Sequence, residues 1–321
     1  MNYKSFADLA DDIKDWLIKL PNDYDLIVGV PRSGMLPANL LALYRNLPLT
    51  DIQGLMERRL LYSGRRINIK DNQLFSKKDL KVLILDDSVN SGKQMKVVRN
   101  RVDSKDCHFD IDYGAVYTSN NGRRVVDNYY EVIDLPRCFE WNIFHHGMLS
   151  DSCVDIDGIL CRDPTREEND DGHNYKNFVK NVQPYIIPTK KIGWLVTCRL
   201  EKYREHTEMW LRKNNVIYNN LVMMDLPDMK ARQRASNHAK FKSKIYNQTK
   251  AKFFLESSIN QAKEIAARTG KYVFCMENNK VYNPGLVKNI SVNVKQNSFS
   301  SLLNPIIIYN RTKKIFRKYF L

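Results

Sequence analysis

At 321 residues the chain is long enough for two ordinary domains, since one hydrophobic core seldom grows past roughly 250–300 residues. With 43% hydrophobic and 27% charged residues it is neither disordered nor fibrous, and no run of about 18 apolar residues offers a membrane-spanning helix. The net charge is +15, from 51 Lys and Arg against 36 Asp and Glu; no recognised nucleic-acid motif accompanies it, so polyanionic small substrates are expected rather than nucleic acid.

The amino-terminal MNYKSFADLADDIKDWL is polar and acidic, with the pattern of an amphipathic helix over 4–19 rather than of a signal peptide. Short apolar strands then alternate with helical stretches, which argues for α/β architecture with parallel sheets. In the first half the strands fall at 24–30, 81–87, 112–118 and 129–135, and further helices at 35–46 and 91–102. Between the first two strands, the basic and polar 57–79 is expected to include a mobile loop. A second series starts at Cys153, with strands at 152–157, 191–197, 216–224, 251–257 and 272–275 and helices at 201–214, 238–248 and 258–269. The expected division is therefore 1–150, 151–300 and a tail, 301–321, with 276–300 reading as a linker or irregular extension. Six cysteines show no CxxC pairing, and Cys153, Cys198 and Cys275 lie in or beside apolar runs; reduced thiols and no zinc are expected.

Two strand ends carry chemistry. In VLILDDSVNSGKQM, Asp86 and Asp87 end an apolar strand, and Asn90, Ser91, Gly92, Lys93 and Gln94 open a helix. Ligands of open α/β sheets collect at such ends, and helix-opening amides with a lysine suit a phosphate. Two carboxylates beside a phosphate nest suit a sugar phosphate. Earlier, Pro31, Arg32, Ser33 and Gly34 form a turn whose amides and guanidinium suit a diphosphate. In the second series, SCVDIDGIL places Asp155 and Asp157 around a strand end, where one carboxylate can attack and the other serve as acid/base.

The first stretch resembles the phosphoribosyl pyrophosphate (PRPP) motif of type I phosphoribosyltransferases, nearest to the purine-salvage branch. The resemblance implies that Asp86 and Asp87 bind the ribose hydroxyls, that Asn90 to Gln94 hold the 5-phosphate, and that Arg32, Ser33 and Gly34 form the diphosphate loop. Tyr62, Ser63, Gly64, Arg65 and Arg66 correspond in place to the family's flexible loop. The purine-salvage enzymes have an aspartate at the position of Asn90, where it engages the base; an amide cannot be that base, which argues against a purine acceptor. The family's acceptor-covering segments correspond to 135–146 and the amino terminus, with Glu140, His145 and His146 as candidates to deprotonate an acceptor hydroxyl.

The second strand end resembles motif I of the haloacid dehalogenase (HAD) phosphatases. Thr197 at a strand end, Lys242 (or Lys244) on a helix and Glu256 at a further strand end follow in that family's order. The resemblance implies a nucleophile Asp155, an acid/base Asp157, a phosphoryl-binding Thr197, a steadying Lys242, and Mg2+ held by Asp155, Asp157 and Glu256. Its departures are a Ser257 where many members carry a second aspartate, and a cap no larger than 159–190.

Together these readings imply two doubly wound parallel-sheet domains and a bifunctional enzyme with PRPP as donor and Mg2+ in both domains. A phosphoribosyl product that is then dephosphorylated suits a sugar hydroxyl, and the chain resembles bacterial two-domain ribofuranose-adding enzymes of surface polysaccharide synthesis. That resemblance implies a lipid-linked glycan acceptor and O-antigen or capsule synthesis in the cytoplasm. The tail fits: Ile308, Ile315, Phe316, Tyr319 and Phe320 share a helical face flanked by Arg311, Lys313, Lys314, Arg317 and Lys318, so 304–321 could contact the inner face of the membrane or dock on the protein. Two alternatives are a nucleotide-salvage transferase with a nucleotidase domain, and a non-catalytic PRPP-sensing regulator.

Overall fold

The computed structural model describes residues 1–61, 66–67, 69–104, 109–235 and 238–283. The tail, 284–300, Cys107, and Tyr62, Ser63, Gly64 and Arg65 of the basic loop lie outside the described residues. The chain divides into two compact units, the first Met1–Ile143 and the second beginning at Phe144. Each is α/β with a largely or wholly parallel main sheet.

The first unit opens with β1 (Asn2–Lys4) and α1 (Phe6–Trp16), where a helix alone was expected from 4. Ser5 separates them: its hydroxyl caps the amide of Asp8, and the Asp8 carboxylate returns to the Ser5 amide. Next come β2 (Leu26–Gly29), α2 (Met35–Arg45), β3 (Leu49–Asp51) and the short helices α3 (Ile52–Glu57) and α4 (Asp71–Phe75). The unit ends with β4 (Lys81–Val89), α5 (Lys93–Asp103), β5 (Asp110–Thr118), β6 (Asn128–Val132) and β7 (Arg137–Phe139).

Its five-stranded sheet has the order β3-β2-β4-β5-β6, parallel throughout, and β1 pairs with β7 in a separate two-stranded ribbon. Helices cover both faces, so the central strands are continuous apolar runs rather than alternating ones. On β4, Val82 and Ile84 enter one core with Leu26, Val28, Met95 and Val98, while Leu83 and Leu85 enter the other with Ile13, Trp16, Leu41 and Phe139.

The second unit contains β8 (Ser152–Val154), α6 (His173–Asn181), β9 (Ile192–Leu200), α7 (Arg204–Lys213), β10 (Tyr218–Met224), α8 (Met229–Ala235), α9 (His238–Gln248), β11 (Phe253–Glu256), α10 (Ile259–Thr269), β12 (Tyr272–Cys275) and β13 (Lys280–Tyr282). The sheet order is β10-β9-β8-β11-β12-β13, parallel except for β13, which runs antiparallel to β12. Counted within the unit, the parallel strands stand in the order 3-2-1-4-5, that of a doubly wound fold. A core of Val196, Tyr246, Phe254, Ile265, Val273 and neighbours fills one face. The segment between β8 and β9 carries only α6 and two isolated bridges, Asp157–Cys161 and Cys161–Pro184, so it is an insert rather than a domain. Among the described residues no helix is long and apolar enough to cross a membrane.

Candidate active sites

In both units the residues singled out lie where the winding of the sheet reverses, at carboxyl ends of strands. In the first unit that point is between β2 and β4. β4 runs two residues beyond the expected end, because its pairing with β5 continues through Val89↔Thr118 while β2 stops at Gly29↔Leu85. Asp86 and Asp87 therefore lie just past the end of β2, within a strand held on one side only.

The loop after β2 fills that space. Pro31–Arg32 is a cis peptide bond. A Cβ on Gly34 would lie 2.6 Å from the Val30 carbonyl oxygen, 2.8 Å from that of Leu85 and 2.9 Å from the Asp86 Cα. Only glycine lets the loop backbone come this close to Leu85 and Asp86, and Arg32 itself is exposed. After β4 the chain turns at Gly92, whose φ of 75° and whose pseudo-Cβ, 2.4 Å from Val125, both require glycine. α5 then starts without a side-chain cap, and its first amides emerge beside the exposed Asn90, Ser91, Lys93 and Gln94. The Asn90 carbonyl accepts a hydrogen bond from Ser119 Oγ at 2.6 Å.

Asp86 and Asp87 are both buried. Alternation along β4 sends Asp86 to the Val82–Ile84 face and Asp87 to the Leu83–Leu85 face. Burial first, and then the Asp87 charge, hold the Asp86 carboxyl well above the usual carboxylate range. Asp87 Oδ2 accepts a hydrogen bond from Trp141 Nε1 at 2.7 Å. Trp141 belongs to a stack with Phe139 and Tyr117, with ring centroids 5.0 Å apart for Trp141–Phe139 and 5.3 Å for Phe139–Tyr117. The amino-terminal segment and 135–143 thus meet beside the acidic pair, through β1–β7 and the Phe6–Trp141 contact.

Other expected residues go elsewhere. Arg66 lines a cavity of about 170 Å³ with Ala42, Leu43 and Asn46, beside the carboxyl-terminal half of α2, whereas Arg32 to Gly34 precede that helix. The reason is local: the Leu61 amide bonds the Leu49 carbonyl, so this segment follows the β3 edge of the sheet. Of the acid/base candidates, Glu140 accepts from the Phe6 amide at the start of α1, His145 bonds Thr189 Oγ1, and His146 accepts from the Met148 amide. Each makes a structural contact of its own.

In the second unit the reversal lies between β8 and β11. Asp155 follows β8, and Glu256 ends β11 beside it. Lys242, from α9, bridges the two: its Nζ lies 2.6 Å from Asp155 Oδ2, 2.7 Å from Glu256 Oε2 and 3.1 Å from Gln261 Oε1. Lys244 is exposed. Burial pushes the Asp155 carboxyl up to about 7, against the pull of Lys242. Glu256 Oε1 accepts from the Ser257 and Ser258 amides at the start of α10. Thr197 is buried on β9.

Asp157 breaks the expected pattern. Arg199, two residues past Thr197, has a fully buried side chain, and a buried cation needs a counter-charge. It takes Asp157 bidentately, with Nε 3.0 Å from Oδ2 and Nη2 2.6 Å from Oδ1. Asp155, Asp157 and Glu256 are therefore not gathered as one cation-binding set, and among the described residues no three His, Cys, Asp or Glu side chains are placed to share a metal. Asp155 and Glu256 remain as neighbouring hard-oxygen donors. Arg199 was missed in the sequence, where the expected strand stops at 197; β9 runs on to Leu200 and carries it inside. Cys138, Cys153, Cys161, Cys198 and Cys275 are all free thiols.

A family model described as "Phosphoribosyl transferase domain" matches residues 2–152. That stretch is a phosphoribosyltransferase domain. The solved structures similar to the chain include a purine phosphoribosyltransferase from Pyrococcus horikoshii, 23% identical over 44% of this chain and 92% of its own, with a TM-score of 0.33. The xanthine-guanine-hypoxanthine phosphoribosyltransferase of Helicobacter pylori is 15% identical over 44% and 92%, TM-score 0.34. An orotate phosphoribosyltransferase from Aeropyrum pernix is 16% identical over 40% and 71%, TM-score 0.28. No curated protein matches the chain. The phosphoribosyltransferase domain accounts for the first strand end, and PRPP is the substrate consistent with it.

Proposed function

We propose that the chain transfers a 5-phosphoribosyl group from PRPP to a hydroxyl of a lipid-linked glycan and then removes the 5-phosphate, adding a bare ribofuranose. The transferase domain supports the first half. Asp86 and Asp87 would accept hydrogen bonds from the ribose hydroxyls, the uncapped start of α5 with Lys93 would hold the 5-phosphate, and Arg32 with the amides of 31–34 would hold the diphosphate. Mg2+ suits the buried carboxyl oxygens here and would supply charge neutralisation of the diphosphate. Attack opposite an α-diphosphate gives a β-ribofuranoside.

The second unit is proposed to be a HAD-type phosphatase with a small insert instead of a cap domain. The observation that carries the two-step reading is the buried Lys242 bridging Asp155 and Glu256 at the reversal point of a 3-2-1-4-5 sheet. Asp155 would attack the phosphorus to give an aspartyl-phosphate, Lys242 would steady nucleophile and phosphate, and Thr197 would hold a phosphoryl oxygen. Asp157, whose two oxygens Arg199 holds at rest, would have to release one of them to protonate the leaving oxygen and later activate water. Mg2+ fits Asp155 and Glu256 as oxygen donors and would supply neutralisation of the phosphate charge.

Removing the phosphate from a nucleotide would waste the product of salvage, whereas on a glycan it leaves a neutral sugar and makes transfer irreversible. The exposed amide of Asn90, which cannot take a proton from a purine, supports the same acceptor. The test is to incubate the protein with PRPP, Mg2+ and a lipid-linked glycan pool, followed by mass spectrometry. Wild type should add a bare pentose and Asp155→Asn a phosphopentose. Transfer to a nucleobase and to no glycan would overturn the reading in favour of nucleotide salvage.

A further inference from the structure

Arg137 opens β7 and is only 7% exposed, yet its Nη1 has no hydrogen-bond partner and its guanidinium forms no ion pair among the described residues. Its guanidinium lies over the Phe139 ring, 5.5 Å from Cζ, and Phe139 stacks on the Trp141 whose indole donates to Asp87. A buried polar donor left unmade costs roughly 1–3 kcal/mol, more when it belongs to a charged group. An arginine in such a place is explained when a ligand completes it. Asn142, in the same segment, also leaves a buried Oδ1 without a partner.

The position of Arg137 says which ligand. Asp87 is flanked on one side by β2, whose following loop packs Gly34 onto Leu85 and Asp86. On the other side is β5, whose Tyr117 begins the stack that carries Phe139 and Trp141. Arg137 therefore belongs to the stack on the β5 side of Asp87, whereas the 31–34 loop follows β2 on the other. With ribose on the acidic pair and diphosphate at that loop, an acceptor attacking the anomeric carbon in line must enter from the other side. We propose that Arg137 binds an oxyanion carried by the acceptor, a sugar carboxylate or the diphosphate of a lipid-linked sugar. The inference rests on the first unit's PRPP site as proposed above. A guanidinium fork matches both groups bidentately, and a lysine would match them less well.

The test uses the full-length protein saturated with ribose 5-phosphate and pyrophosphate, with ligand-observed NMR as the readout. The probes are methyl β-D-glucuronide, neutral methyl β-D-glucoside, an octyl-diphospho-glucose and orotate. At least one anionic glycoside should bind tenfold or more tightly than the neutral one, and which one does so identifies the source of the oxyanion. That preference should vanish in Arg137→Gln and survive in part in Arg137→Lys, while calorimetric titration shows PRPP affinity within twofold of wild type in both. Equal binding of neutral and anionic glycosides, with no preference for orotate, would overturn the proposal. So would a tenfold loss of PRPP affinity in Arg137→Gln with near-ultraviolet dichroism unchanged, since Arg137 would then serve the donor. An Arg137-dependent preference for orotate over every glycoside would keep the oxyanion site and remove the glycan acceptor.

Discussion

Replacing Lys242 by methionine keeps most of the side-chain volume and deletes the charge between two buried carboxylates. Asp155 and Glu256 would then face each other across a gap from which an ammonium 2.6 and 2.7 Å away has been withdrawn. Breaking a buried ion pair by removing one partner costs about 3–5 kcal/mol, because the remaining charge keeps its desolvation penalty and loses its attraction. The cost should depend on pH in a stated direction. Burial already holds the Asp155 carboxyl up at about 7, above its unfolded value, so the folded state binds the extra proton and stability falls as pH rises from about 4 to 7. Lys242 opposes that rise, and its loss moves the folded value further up. The penalty of Lys242→Met should therefore be smaller at pH 5 than at pH 8, by up to about 1.4 kcal/mol for each pKa unit that the loss of Lys242 adds. Urea unfolding followed by circular dichroism at the two pH values measures it. Adding Glu256→Gln to the variant should restore more than about 1 kcal/mol at pH 8, because like charges no longer meet. A cost below about 1 kcal/mol, or one that does not change with pH, would refute the reasoning.

Two further outcomes follow from the first unit. Gly34→Ala forces a methyl against three backbone atoms within 2.9 Å, none of which can rotate away; it should cost about 1–3 kcal/mol in stability and tenfold or more in PRPP affinity by calorimetry, and wild-type affinity would refute the close packing. Trp141→Phe keeps the aromatic stack and removes the bond to Asp87, so it should cost about 1–2 kcal/mol in urea unfolding, with no measurable change meaning that Asp87 is held by other means.

The two sheets were legible because both are buried on both faces: VLILDD and KFFLE are apolar runs too short for helices, and the helices between them repeat at the helical period. What escaped were the three-residue strands β1, β3, β7 and β13, the last inside the stretch expected to be a linker; they carry no period of their own and exist through pairing with other strands. The acidic pair, the Gly34 turn and Lys242 over Lys244 follow from residue type and spacing. Arg137 and Arg199 do not, because what sets them apart is burial, and burial belongs to the folded chain. Asp157 was assigned by its place after Asp155, and no motif shows that a cation from a neighbouring strand reaches it.

The β1–β7 ribbon joins Asn2 to Arg137 and Lys4 to Phe139, so the wall beside Asp87 is built from the two ends of its unit. Closing a loop of that span costs roughly 4 kcal/mol of chain entropy. A three-residue ladder, the Phe6 amide on Glu140 and the Phe6–Trp141 contact have to offset it. Once the sheet that bears Asp86, Asp87 and the 31–34 loop has formed, with α1 packed on it, the span left to close is far shorter, which favours closing the ribbon after it. On the proposed assignment of the site, a chain stalled before that closure would have its phosphate-facing half in place and its opposite wall open, competent to hold a donor while offering an acceptor no fixed place to stand.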